Sequence, residues 1–261
     1  MRYVKLWWRC VVLAVLEVAE YRVNFVLSVF TEALGLGMVV LTFGLMYQFT
    51  DAIAGWTREQ VLVLVGVFWT FNGIWDMAIQ PNLQRMSEYV ERGEMDFFLL
   101  RPVDAQFLIS VRRFSPWEGS TVVLGFGLMA WAVSRSGAQW TAAGVAEAVA
   151  LLACGLLLLY ALRFMVVTCA FWLMNAESLY NVLHPAFAAA QYPVTFFGGW
   201  LRVVLTVVVP VAFATTFPAQ ALLGEGDARL VAAGAVGAVV ALWASHRFWG
   251  FAVRHYASAS S

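Results

Sequence analysis

The sequence predicts an all-α integral membrane protein, and three observations carry that expectation. Hydrophobic residues are 62% of the 261, against roughly 45–50% in soluble domains. Charged residues are only 12%, and the mean hydropathy is +0.77. The apolar residues fall in runs of about 20, the length that crosses a bilayer as a helix. A soluble fold of this size has too little interior to hide so much apolar surface. Soluble enzymes and disordered chains are therefore set aside. The formal charge is zero, with 16 basic and 16 acidic residues, so no attraction to nucleic acid is implied.

The elements follow in order. Residues 2–22 read as a helix lying at the cytoplasmic interface. Tyr3, Trp7, Trp8 and Tyr21 suit the headgroup level, and Arg2, Lys5, Arg9 and Arg22 suit anionic lipid; a plain hydrophobic anchor is the alternative. No cleavable signal peptide is expected, because the run Cys10–Leu16 is short and leads into Glu17 and Glu20. Spans are expected at 25–49, 61–80, 115–134, 142–172, 179–192 and 230–249. The segment 193–223 is apolar but broken: three of the seven prolines, Pro193, Pro210 and Pro218, lie there with Gly198-Gly199. Proline removes a donor and breaks a helix, and broken backbone survives in a bilayer only under protein or water cover. The expectation is a re-entrant hairpin, with Phe196, Phe197, Val209 and Phe213 as an apolar plug.

Orientation follows from the basic residues. Six spans put Arg2, Lys5, Arg9, Arg22, Arg85, Arg92, Arg101, Arg112, Arg113, Arg247 and Arg254 on the side of both termini. Arg58, Arg135, Arg202 and Arg229 lie opposite, a bias of 11 against 4. A seventh span at 200–223 would lower it to 10 against 5. Six spans with cytoplasmic termini are preferred.

Only Pro81–Arg113 is polar enough to be a docking surface, with five Arg and five acids. Gly93 can end a helix there, and Arg101-Pro102 reads as a turn before the next one. The alternative is a solvated connection. Lys5 is the lone lysine and follows no glycine, so a Walker A phosphate loop is ruled out. An ATP-driven transporter without its own ATPase must receive force through such a surface.

The stretch GEMDFFLLRPVDAQF, the early EYRVNF and the block QYPVTFFGGWLRVVLTVVVPVAFATTFPAQALLG resemble the ABC transporter type-2 permease family, closest to its small six-span permeases encoded beside a separate ATPase. The resemblance covers nearly the whole chain. It implies one permease domain, 1–261, in the type-2 exporter fold, paired with a second permease subunit, identical or homologous, and with ATPase subunits that bind ATP and Mg. Residues 2–22, the loop at 84–102 and the turn Asn175–Ser178 would touch the ATPase, with Arg92, Gly93, Glu94, Asp96 and Arg101 as coupling residues. Pro193, Phe196, Phe197, Pro210, Phe213 and Pro218 would form the outer gate. The expected place is the bacterial inner membrane, embedded in lipid.

Ionisable groups inside spans deserve a functional hypothesis. Glu32, Trp69, Asn72 and Asp76 are candidates for the translocation path, meeting a cationic or polar head. The structural alternative pairs Glu32 or Asp76 with Arg163. Cys154 and Cys169 are fifteen residues apart, ~22 Å on a helix, too far for a disulfide. No catalytic or metal set is legible: the three His, at 184, 246 and 255, are scattered. Neither a cofactor of this chain's own nor enzymatic activity is expected. An ion-driven secondary transporter would show inverted repeats, which the sequence lacks; a non-transporting scaffold is the other alternative.

Overall fold

A computed structural model describes residue 12 and residues 22–172 and 185–255. The expected interfacial helix at 2–22, the turn Asn175–Ser178 and the first half of the span at 179–192 fall almost wholly outside the described residues. Helix α1, Arg22–Met46, leads to a two-residue antiparallel ladder, β1 Ala52–Ile53 with β2 Trp56–Thr57. The tip residues Ala54 and Gly55 both have positive φ, 48° and 86°, as a tight two-residue hairpin turn requires. Thr57 then starts α2, Arg58–Ala78, with a capping box: its hydroxyl accepts from the Gln60 amide, and the Gln60 side chain accepts from the Thr57 amide. The Tyr47 hydroxyl donates to the Trp56 carbonyl at 2.9 Å, tying the end of α1 to the hairpin.

Helix α2 is continued after a one-residue break by α3, Gln80–Glu91, then by the short α4, Met95–Leu99, and α5, Ala105–Val111. The chain re-enters the bundle as α6, Gly119–Arg135, followed by α7, Ala142–Thr168. Helices α2 and α6 touch at their backbones. A Cβ at Gly66 would sit 2.5 Å from the Met129 nitrogen, one at Gly73 2.6 Å from the Val122 nitrogen, and one at Gly125 against the Thr70 nitrogen. Small residues allow this approach, the main route to tight helix packing where lipid offers no hydrophobic drive.

The region after Tyr192 is irregular, as its prolines predict. Arm α8, Gly199–Val203, runs into a π-turn at Val204–Val208 and stops at Val209-Pro210; α9, Val211–Ala214, and α10, Thr216–Leu222, form the second arm. The arms bend by 66°. A Cβ at Gly155 would sit 2.6 Å from the Ala214 backbone and one at Gly144 2.8 Å from the Ala221 carbonyl oxygen, so the second arm lies against α7. The Val194 amide donates to Thr216 Oγ1 at 3.2 Å, and Trp56 Nε1 to Thr195 Oγ1 at 2.9 Å. These bonds fix the stretch before the arms to α10 and to the β-hairpin. The last helix, α11, Ala228–Arg254, begins at an Asp227 cap and packs on α7.

Among the described residues four helices are long and apolar enough to cross a membrane: Phe25–Met46, Arg58–Ala78, Ala142–Phe171 and Ala228–Arg254. The bent pair Gly199–Val208 and Val211–Leu222 is a fifth candidate. Helix α6 has 17 residues, short of the usual ~20, but lies along α2. The architecture is all-α in its spans, with four to five candidate crossings.

Candidate functional site

The segment 81–113 is a folded unit of three helices rather than a loose connection. Leu83, Met86, Tyr89, Met95, Phe98, Leu108 and Ile109 are buried against Phe164 and Val167 of α7 and Trp249 of α11. Helix α3 ends where the sequence places its stop: Gly93 has φ +69°, the left-handed conformation that terminates a helix. The Asp104 carboxylate caps α5, accepting from the Phe107 amide at 2.7 Å. The buried Asn82 side chain holds the two ends of the unit together. Its amide nitrogen donates to the Ala78 and Arg113 carbonyls, and its oxygen accepts from the Arg113 amide, all at 2.8 Å.

The expected coupling residues sit at the tip of this unit. Arg92 and Arg101 are exposed, while Gly93, Glu94 and Asp96 are half-buried. The sequence reading missed the most exposed feature there. Helix α4 turns Met95 and Phe98 inward and leaves Phe97 68% and Leu100 84% exposed. The signal was present in Phe97-Phe98-Leu99-Leu100, because a five-residue helix has too little inner face to bury four consecutive large apolar side chains.

Within the bundle a cavity of about 240 Å³ is lined by Phe68, Asn72, Trp75, Asp76, Gln80, Arg163, Phe187 and Ala188. Arg163 is 4% exposed. Its guanidinium lies 5.9 Å from the Trp75 ring centre and 5.7 Å from that of Phe187, within cation–π range. Asp76 feels the charge of Arg163 most strongly and that of Glu32 next. The structure therefore brings Asn72 and Asp76 together and adds Arg163, Trp75 and Gln80. It does not bring Trp69 or Glu32 to the cavity wall. Trp69 points to α1, its indole beside Gly35, and Glu32 is half-exposed on α1.

The residues expected at an outer gate lie inside one protomer. Phe196 and Phe213 pack on one apolar cluster and Phe197 on the other, with Val209 buried. Phe213 meets Phe217 edge-on at 4.9 Å. Pro193, Pro210 and Pro218 are buried. The exposed row of this segment is Trp200, Val203 and Val207 on the arm before Pro210, one face of a helical turn.

No curated protein and no solved structure matches the chain. The sequence profile of a family described as ABC-2 family transporter protein matches residues 33–260. That match takes in the folded unit at 81–113, the cavity and the proline-broken arms. The chain belongs to the ABC-2 transporter family.

Proposed function

We propose that this chain is the permease subunit of an ATP-binding cassette exporter, working as a pair on a separate ATPase that docks on the 81–113 unit. One observation carries the docking reading: Phe97 and Leu100 project from the tip of a unit whose other large apolar residues are mostly buried, between the exposed Arg92 and Arg101. Two apolar knobs ringed by charge have the anatomy of an interface hot spot, a greasy centre inside a polar rim. In water they stabilise nothing; in a partner's groove each contributes about 1.5–3 kcal/mol. Replacing both, Phe97→Asp with Leu100→Asp, is expected to lose ATPase co-purification at least a hundredfold, while the permease stays folded in detergent. Retained ATPase would end the docking reading.

Six spans, both termini in the cytoplasm and a hairpin at 193–223 reaching in from outside complete the arrangement, in a bacterial inner membrane. The basic-residue bias and the 66° bend at Pro210 support it. A cysteine at Glu225, in the exposed turn before α11, should react with an impermeant reagent from outside intact cells. A cysteine at Leu100 should react only after lysis. Reversed labelling would invert the topology. The cavity at Asn72, Asp76 and Arg163 is the candidate path for a polar substrate group. At about 240 Å³ it is smaller than the roughly 300–1,000 Å³ of drug-sized sites, so it would hold one headgroup at a time.

A further inference from the structure

Five polar side chains meet where the docking unit touches the spans. Helix α5 contributes Gln106 and Ser110, α7 contributes Tyr160, and α11 contributes Ser245 and His246. Gln106 is 8% exposed. Its Oε1 pairs with His246 Nδ1 at 2.8 Å, and its Nε2 donates to Ser245 Oγ at 3.5 Å. A carbonyl oxygen cannot donate, so Nδ1 carries the proton in that bond. The Ser110 and Tyr160 hydroxyls share a bond of 2.7 Å, and Ser110 Oγ also donates to the Gln106 carbonyl at 2.8 Å. Every partner outside α5 is on α7 or α11.

The connectivity gives this cluster its meaning. The docking unit is covalently continuous with α2 on one side and α6 on the other, and backbone bonds reinforce that end: the Ser115 amide donates to the Met77 carbonyl at 2.8 Å. Nothing covalent joins the unit to α7 or α11. It meets them through the apolar cluster around Phe164 and Trp249, and through these hydrogen bonds. Apolar burial is non-directional and tolerates sliding. Buried hydrogen bonds are directional, and a separated pair leaves amide and imidazole without partners. The polar cluster therefore decides whether α7 and α11 follow the docking unit.

We infer that Gln106 is a positioning residue that locks the docking unit to α11, while Ser110 ties it to α7, so that a displacement imposed by a bound ATPase moves those two helices with it. The inference rests on the docking reading above. The test uses the full chain in nanodiscs with whatever ATPase co-purifies, and spin labels at two exposed positions, Pro102 beside α5 and Arg254 at the end of α11. In the wild type the label distance should be the same, within about 2 Å, in nucleotide-free and vanadate-trapped samples, whereas a one-turn slip of one element past another would move it by about 5.4 Å. With Gln106→Leu the ATPase should still bind and hydrolyse ATP, but the distance should shift or broaden on trapping. Gln106→Glu, which still accepts from His246 Nδ1, should restore the wild-type behaviour. A purely apolar filler role would instead favour Leu over Glu.

A wild-type distance that changes on trapping overturns the inference, whatever the variants do. So does a Gln106→Leu sample that behaves as wild type. If that variant is not recovered folded, His246→Leu removes the same bond from α11, and the wild-type distance remains decisive. Absence of any ATPase from the wild-type preparation removes the docking reading itself, and this inference with it.

Discussion

Gly125→Leu is expected to destroy the folded permease. A side chain at this position points into the facing helix, not into a gap. Its first carbon would land on the Thr70 nitrogen, 2.8 Å from the Trp69 carbonyl carbon and 2.9 Å from the Gly66 oxygen. All three are backbone atoms of α2, so no rotamer change clears them. The helices must separate, and Gly66 and Gly73, where an added Cβ would come within 2.5 and 2.6 Å of the α6 backbone, lose their close approach as well. Overpacking of a soluble core costs about 1–3 kcal/mol. Here the obstruction is backbone, so ~3 kcal/mol or more is expected, a large part of a total of roughly 5–15 kcal/mol. The monodisperse peak of a fluorescent fusion in detergent should disappear. Gly127→Leu is the control: it lies two residues on, with nothing within 4 Å of its Cβ position, and should leave the peak intact. Equal peaks for the two variants would contradict the seam.

Those two glycines show what the sequence makes legible and what it does not. Gly125-Phe126-Gly127 contains both, and local pattern cannot say which faces α2. The answer depends on the rotation of α6 about its axis, which is set by residues some 55 positions away. Legibility is high where the cause is local. The long apolar runs give four of the spans, Gly93 gives the end of α3, and Pro210 gives the 66° break. It is low where the cause is a distant neighbour. Asn72 and Asp76, one turn apart on α2, were readable as a polar face, but their cavity is completed by Arg163 of α7 and Phe187 beyond it. Trp69, also expected on the translocation path, turns its ring toward Gly35 of α1 instead. The phenylalanines at 196, 197 and 213 were legible as apolar, not as half-buried against apolar clusters of their own protomer. For the unit at 81–113, charge drew attention to Arg92, Glu94 and Asp96, whereas exposure singles out Phe97 and Leu100.

Arg163→Met is expected to be strongly destabilising, and Arg163→Met combined with Asp76→Asn much less so. Arg163 is 4% exposed in a membrane-spanning helix, and it is the charged group that bears most on Asp76. Removing one member of a buried charge pair costs about 3–5 kcal/mol, because the other is left uncompensated. Replacing both with uncharged groups of similar size is often neutral. Loss of the cation between the Trp75 and Phe187 rings adds roughly 0.5–2 kcal/mol to either variant. Asp76→Asn alone should fall between the wild type and Arg163→Met, since the aromatic rings still hold the guanidinium. Melting of all four proteins in one detergent closes the double-mutant cycle. A coupling energy near zero would mean that the two charges do not sense each other, and the pairing would be wrong. A strong coupling with transport retained in the double variant makes the pair structural. A stable double variant that assembles with its ATPase but no longer transports assigns the two charges to the substrate. The last outcome is the one the cavity favours, because Asn72 and Asp76 line it beside the guanidinium, where a polar group entering the bundle would meet all three.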